Sequence, residues 1–370
     1  MGGDLLTLFL CGDVMLGRGV DQILPHPGDP ALREGYLRDA RAYVELAAAR
    51  NGPIPYPAGF SWPWGDALEV LGEAAPAARV LNLETSITQY AGFAPEKEIH
   101  YRMNPANLPC LAAARPDVCV LANNHVLDFG RPGLSDTLGA LADAGLRTAG
   151  AGADTGAACR PAVLPVADGR RILVFSFGMP SSGIPREWAA AGDRSGVDFV
   201  AGPAPAAAGE INGRVQQWKR PGDLAVASVH WGANWGYHVS RSEAAFAHAL
   251  LEGGVDIVHG HSSHHPRALE AYRGKLAIYG CGDFIDDYEG ITGYEEYRDD
   301  LRPLYLVTVE PDTGRLHEVR ITALQARRMR LRYASRRDSR WLQGLFDRIS
   351  TGFRPCVAGA PEGTLTLRPS

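Results

Sequence analysis

The sequence is short of the features that mark a disulfide-framed, membrane-bound or nucleic-acid-binding protein. Its six cysteines, Cys11, Cys110, Cys119, Cys159, Cys281 and Cys356, are scattered and include no C-x-x-C pair. That spacing suits a reducing compartment and excludes a zinc cage built on paired cysteines. The N-terminal apolar run Leu5–Leu10 is far below the ~20 residues that cross a bilayer. It also lacks the basic flank and small-residue cleavage site of a signal peptide. The expected location is the cytoplasm, with no membrane partner. Positive charge is not in excess: 37 Lys and Arg against 42 Asp and Glu leave a net charge of −5, which argues against nucleic acid as the partner. There is no internal repeat and no low-complexity tract.

What the 370 residues do contain is the alternation of an α/β domain, with 45% hydrophobic residues to fill a core. The pattern predicts strands over 5–11, 80–83, 118–121, 172–177, 224–230, 256–259 and 276–279, then a hairpin of 305–309 and 317–322 around Pro311-Asp312-Thr313-Gly314. Helices are predicted over 31–50, 65–73, 132–143, 206–219 and 242–252, the third ending at Gly145. We read residues 1–350 as a single domain. A Pro/Gly-rich insertion spans 25–63, residues 178–202 read as a mobile loop or lid, and 351–370 form an extended, poorly packed tail.

Nearly every predicted strand runs into a polar cluster: Gly12-Asp13, Asn82-Leu83-Glu84, Asn123-Asn124-His125, His230-Trp231-Gly232, His259-Gly260-His261 and Gly282-Asp283. In α/β sheets the ligand crevice lies just beyond the carboxyl ends of the strands. Each group alone has a bland explanation: a strand-end Asp caps a turn, and His259, His261, His264 and His265 form a solvated loop. Jointly, oxygen and imidazole groups at matching positions on successive strands are divalent-metal chemistry. These ligand types do not choose among manganese, zinc, iron, magnesium and calcium.

The motifs Gly12-Asp13-Val14-Met15-Leu16-Gly17-Arg18, Asn82-Leu83-Glu84, Ala122-Asn123-Asn124-His125 with Asp128, His230-Trp231-Gly232, Gly260-His261 with His264, and Tyr279-Gly280-Cys281-Gly282-Asp283-Phe284 resemble those of the CapA family, named for poly-γ-glutamate capsule synthesis. The resemblance covers about residues 5–284. It implies a metallophosphoesterase-like layered β-sheet sandwich flanked by helices. It also implies a metal position made by Glu84, Asn124, His230 and His261, with Asp13 and His264 belonging to a second one. His125 would act as the acid–base group, oriented by Asp128.

One departure redirects the chemistry. Where a phosphoesterase carries Asp-x-His, this chain has Met15, and a thioether does not replace imidazole for a hard or borderline ion. The second position is then short of ligands, and two-metal phosphoester hydrolysis is disfavoured. One metal beside Asp13, His125, His264, His265 and Asp283 instead suits proton transfer at Cα through a metal-stabilised enolate. The CapA type includes peptide epimerases of lasso-peptide biosynthesis, which invert a C-terminal residue, notably tryptophan. Peptide epimerisation is therefore the first expectation. A metal-dependent hydrolase of a phosphoester, peptide or poly-γ-glutamate is the second, and a non-catalytic polymer-binding module the third. Trp62, Trp64, Trp231 and Trp235 are candidate walls for a peptide substrate, and Arg18, Lys97 and Arg102 candidate partners for its carboxylate. For each of these, rim packing or surface charge is the plainer reading. The sequence leaves the oligomeric state open.

Overall fold

The protein is described by a computed structural model that covers residues 5–95, 97–353, 356–359 and 364–368. Its main strands are β1 (Leu6–Val14), β2 (Ala78–Leu83), β3 (Val118–Val120), β4 (Arg147–Ala149), β5 (Ala162–Pro165), β6 (Arg171–Gly178), β7 (Leu224–His230) and β8 (Ile257–His261). They continue with β9 (Leu269–Tyr272), β10 (Lys275–Ile278), β11 (Asp283–Ile285), β12 (Leu301–Val309), β13 (Leu316–Ala326), β14 (Cys356–Gly359) and β15 (Thr364–Arg368). One sheet runs β14–β15–β13–β12–β1–β2–β3–β4, with β11 also paired to β1; the other runs β9–β10–β8–β7–β6–β5. Both are mixed. β1, β2, β3 and β4 are parallel, as are β6, β7, β8 and β10, and antiparallel strands fill the edges.

The period-two alternation of strands explains why the sheets stack. On β1, Leu8 and Leu10 face the second sheet, whereas Phe9 and Cys11 face the opposite way. On β7, Leu224 and Val226 join that same inter-sheet core, while Ala225, Ala227 and Val229 point outward. Helices cover both outer faces. α1 (Arg41–Asn51), α2 (Ala67–Ala74) and α3 (Gly130–Asp143) pack on the first sheet. α4 (Pro205–Trp218) and α5 (Arg241–Glu252) pack on the second through Ile211, Val215, Phe246 and Leu250. α5 begins with a capping box in which Ser240 accepts from the Glu243 N–H and Glu243 accepts from the Ser240 N–H. The result is the expected α/β sandwich flanked by helices.

The differences from expectation are local. The helix predicted from residue 31 starts only at Arg41, because residues 31–39 close on themselves through an Ala31–Asp39 bridge. α6 (Arg336–Ile349) was not anticipated; it starts at Ser335, whose side chain caps Asp338 N, and inserts Leu342, Leu345 and Phe346 into the inter-sheet core. The segment read as a loose tail supplies β14 and β15, and Leu365 and Leu367 of β15 are buried against the β13 edge. Residues 178–202 are stitched down by a Gly178–Phe199 bridge and by pairing of Gly196 and Val197 with Ala151 and Gly152. Among the described residues, no helix is long and apolar enough to cross a membrane.

Candidate metal centre

The polar clusters converge at the carboxyl ends of the parallel strands. β1 delivers Asp13, and β11 lies parallel to it with Asp283 in register opposite Asp13. The two strands approach so closely that a Cβ on Gly12 would sit 1.8 Å from the Gly282 carbonyl oxygen, and Gly282 itself holds φ +78°. Both Gly-Asp pairs are thus explained by one close crossing. β2 carries Asn82 toward Asp13 and places Glu84 just beyond its end, while β7 and β8 set His230 beside His261.

Two groups of side chains offer metal-ligand geometry. Single ligand atoms of Asp13, His230 and His261 lie within 4.8 Å of one another, and so do those of Asp13, His264 and Asp283. Asp13 belongs to both. Asn124 adjoins the first group: its Oδ1 is 2.9 Å from His230 Nε2. Glu84 adjoins the same histidine, with Oε1 3.9 Å from His230 Nε2 and 3.8 Å from His125 Nε2. Asn82 donates from Nδ2 to both Asp13 Oδ1 (2.7 Å) and Glu84 Oε2 (2.9 Å), tying the two acids together.

The hydrogen bonds behind the histidines fix where their protons are. His259 Nε2 is 2.9 Å from the Cys11 carbonyl, which only accepts, so His259 Nε2 donates and its Nδ1 carries a lone pair. The Ser228 hydroxyl, 3.1 Å from that Nδ1, donates to it and accepts from His261 Nε2 at 2.8 Å. His230 Nε2 donates to Asn124 Oδ1. Consequently both His230 and His261 direct Nδ1 lone pairs at each other across 2.8 Å. Two facing lone pairs repel unless a cation beside them binds both. This outer-sphere anchoring of the imidazoles is what a metal site requires.

The electrostatics agree. Burial keeps His230 and His261 well below the usual imidazole range, so they are neutral and able to ligate. Burial pushes the Asp13 carboxyl up to about 7, with the Asp283 charge adding to it. Burial, then the Asp13 and Asp283 charges, raise Glu84 well above the carboxylate range. For His264 burial lowers the pKa, but Asp283 Oδ1, 2.9 Å from its Nδ1, outweighs burial and leaves it raised. Among the described residues, Asp13 Oδ2 and Asp283 Oδ2 are buried without a hydrogen-bond partner. Three crowded acids, two orphaned oxygens and two opposed lone pairs fit a divalent cation.

On the other side of Glu84, His125 is held by Asp128, whose Oδ2 is 2.7 Å from His125 Nδ1 and also accepts from Tyr101 N at 2.6 Å. Lys97 donates to Asp128 and the Asn124 carbonyl, which brings its Nζ to 3.1 Å from His125 Nδ1. Burial takes His125 down to about 4, against the opposing Asp128 charge. Its Nδ1–H is on Asp128, so Nε2 faces the site with a lone pair. Tyr101 packs edge-on to His125 with centroids 4.5 Å apart, Tyr288 lies 5.1 Å from His264, and the two phenol oxygens are 2.9 Å apart.

The substrate contacts expected from sequence mostly stand elsewhere. Trp64 is fully buried and donates to the Cys110 carbonyl, and Trp231 is buried and stacked on Tyr279. Arg18 is buried in ion pairs with Glu34 and Asp287. Trp62 donates to the Arg328 carbonyl, and Arg102 holds Asp29 and the Tyr90 carbonyl. The polar groups of all five are thus engaged within the protein, and Arg18 also lies over the ring of Tyr101, beside His125. Trp235 does reach it, 5.4 Å from His264 between ring centroids and stacked on Tyr294. Sequence reasoning missed Ser228, and it quoted Asn82 within a motif without giving it a role. Each precedes a singled-out residue by two on a strand and so shares its face, and that spacing was the available signal. Arg302, 3.3 Å from Asp283 Oδ2 and 2.6 Å from Asp286 Oδ2, had no local signal.

The family model described as "Bacterial capsule synthesis protein PGA_cap" matches residues 7–288. The chain is 52% identical to a probable polyglutamine synthesis accessory protein of Mycobacterium tuberculosis, over 99% of this chain and 97% of that one. It is 26% identical to the PGA biosynthesis protein CapA of Bacillus subtilis, over 77% of this chain and 64% of that one. Among solved structures it is similar to a 5'-nucleotidase precursor from Thermus thermophilus, with 15% identity, a TM-score of 0.49, and coverage of 87% of this chain and 54% of that chain.

Proposed function

Because the chain belongs to the PGA_cap family of bacterial capsule synthesis proteins, we propose that it is a metal-dependent accessory enzyme of polyglutamine or poly-γ-glutamate synthesis that hydrolyses amide bonds of the polymer. The name of the mycobacterial relative supports the polymer class. The observation that carries the reaction is Asp13, shared between two ligand groups, of which the second is completed by Asp283 where Met15 offers no imidazole. A bridging carboxylate between two such groups is the layout of metallohydrolases.

A divalent ion held by Asp13, His230 and His261 would supply Lewis acidity and a source of hydroxide at neutral pH. The protein's own part is proton handling. His125, with Nδ1–H fixed on Asp128, takes a proton at Nε2 and returns it to the departing amine nitrogen. Glu84, raised by burial and by Asp13, stands within reach of both His125 and His230.

A second reading, inversion at Cα, is favoured by the Tyr101–Tyr288 pair, which sets His125 and His264 on opposite flanks. Epimerisation needs acid–base groups on two faces. Incubation of the metal-loaded protein with poly-γ-glutamate and polyglutamine in D₂O, read by mass spectrometry, separates the two. Hydrolysis releases new amines and shortens chains, whereas epimerisation adds deuterium at Cα without shortening. Neither change in either polymer would sink both readings.

A further inference from the structure

Tyr101 and Tyr288 join the two histidines that flank the metal centre. The Tyr101 ring stands edge-on to His125, with centroids 4.5 Å apart, and the Tyr288 ring edge-on to His264 at 5.1 Å. His125 Nε2 is 3.8 Å from Glu84 Oε1, and His264 shares a ligand group with Asp13 and Asp283. The phenol oxygens meet at 2.9 Å. Tyr101 is fully buried, whereas Tyr288 is half-buried. The enclosed hydroxyl proton is the one that needs an acceptor, so Tyr101 donates and Tyr288 accepts. The hydroxyl proton of Tyr288 is then left without an acceptor among the described residues.

Arg18 holds this pair from below. Its backbone is left-handed, with φ +52°, a region sparsely populated by residues other than glycine. The guanidinium lies over three rings, 3.7 Å from the centroid of Tyr43, 4.7 Å from Tyr101 and 5.7 Å from Tyr288. Asp287, next to Tyr288 in the chain, accepts from Arg18 Nε at 2.8 Å and from Nη2 at 2.5 Å, and Glu34 accepts from Nη1 at 2.8 Å. A cation against the face of a phenol draws electron density from its O–H and strengthens it as a donor. A donor held in place and left unspent suits an oxygen on which charge develops.

We propose that Tyr288 donates a hydrogen bond to the carbonyl oxygen of the substrate as negative charge forms on it, with Tyr101 as the residue that positions its hydroxyl. The assignment rests on the reading that the centre acts on an amide. As water adds to the amide carbon it gives a proton to His125, and the π pair of the C=O bond moves onto the oxygen that Tyr288 holds. When that pair returns, the C–N bond breaks and the nitrogen leaves with the proton from His125. Tyr288 keeps its own proton throughout.

Phenylalanine keeps each ring in place, so Y288F and Y101F test the hydroxyls alone. With poly-γ-glutamate or polyglutamine and the metal-loaded full chain, Y288F is expected to lower kcat about 100-fold or more, with KM and Mn²⁺ affinity within about twofold. Y101F is expected to lower kcat by less and, added to Y288F, to lower it no further, because it acts only through the Tyr288 hydroxyl. A packing role for Tyr101 would add its own loss. Titration of the Mn²⁺-loaded protein with inorganic phosphate, a tetrahedral anion, reads the donor without turnover, and Y288F is expected to weaken that binding about tenfold. Unchanged phosphate affinity in Y288F would overturn the proposal. If neither polymer is cleaved but phosphate binding falls as expected, the hydrolase reading fails and the donor assignment stands. If a polymer is cleaved and Y288F changes neither kcat nor phosphate affinity, the donor assignment fails and the hydrolase reading stands.

Discussion

Ser228→Ala isolates the proton logic of the metal centre. The hydroxyl is fully buried and has one donor, spent on His259 Nδ1, and a lone pair that takes the His261 Nε2–H. Ala225 and Ala227 already sit on β7, so alanine suits the strand. Without the hydroxyl, His261 is free to move its proton to Nδ1, where it finds His230 Nδ1 at 2.8 Å. Any metal must then displace that proton. Loss of an outer-sphere partner of this kind typically lowers metal affinity about 10–100-fold, equivalent to about 1.4–2.7 kcal/mol. The metal-free fold behaves differently. It loses a buried hydrogen bond, at about 1 kcal/mol, but regains part of this as the two lone pairs cease to oppose each other. The expected signature is therefore a large loss of metal affinity with a small loss of metal-free stability. Calorimetric titration of chelator-stripped protein with Mn²⁺ or Zn²⁺, beside urea unfolding without metal, measures both. Affinity within twofold of the unmodified protein would refute the assignment of the two Nδ1 atoms as ligands.

Cys159 is half-buried and its thiol is pushed up to about 11 by burial and then by the Asp198 charge. About one thiol in a thousand is then ionised at pH 8, and alkylation by iodoacetamide is expected to be slow there and to accelerate about tenfold per pH unit toward 11; a rate that levels off near pH 9 would contradict this. Ser240→Ala removes the hydroxyl arm of the α5 capping box, leaves the residue-240 N–H on Glu243, and should cost about 1 kcal/mol in urea unfolding, with no change in metal affinity. Trp64→Phe leaves the Cys110 carbonyl without its donor and a void in the core, with an expected loss of about 1–3 kcal/mol; a loss under about 0.5 kcal/mol would show that the site repacks.

The fold was legible where one face of an element is buried and the other is not. β7 was read residue for residue, because its apolar run ends at a histidine. α4 and α5 were read to within a residue or two, because proline at the start of one and the serine cap of the other mark where they begin. α6 escaped because its polar residues, half of them arginine, outnumber its apolar ones; Leu342, Leu345 and Phe346 are buried in the core, with Trp341 and Ile349 half-buried against it. β14 and β15 escaped because edge pairing depends on β13 being there to receive them, which no local pattern reports. The tryptophans misled for a related reason. Pro63 between Trp62 and Trp64 looks like a loop tip, yet tertiary packing buries Trp64 wholly and turns Trp62 toward Arg328.

The loss of imidazole at position 15 shows why ligand counting along one motif falls short. Two residues beyond Asp13 and just past the end of β1, Met15 is buried and its amide N–H donates to the Ile285 carbonyl of β11. A motif reader sees a vacancy there. The sheet supplies ligands sideways as well as lengthways: β11 runs parallel to β1 with Asp283 directly opposite Asp13, and His264 closes the group. Asp283 also faces Arg302, whose guanidinium draws on the same carboxylate and is paired with Asp286. That neighbouring cation weakens the second group as a metal position relative to the first, where only neutral imidazoles accompany Asp13. The two positions should therefore fill in order, Asp13–His230–His261 first and Asp13–His264–Asp283 second. Arg302→Met should draw the second affinity toward the first in a calorimetric titration with Mn²⁺. Two equal affinities in the unmodified protein would show that Arg302 exerts no such influence.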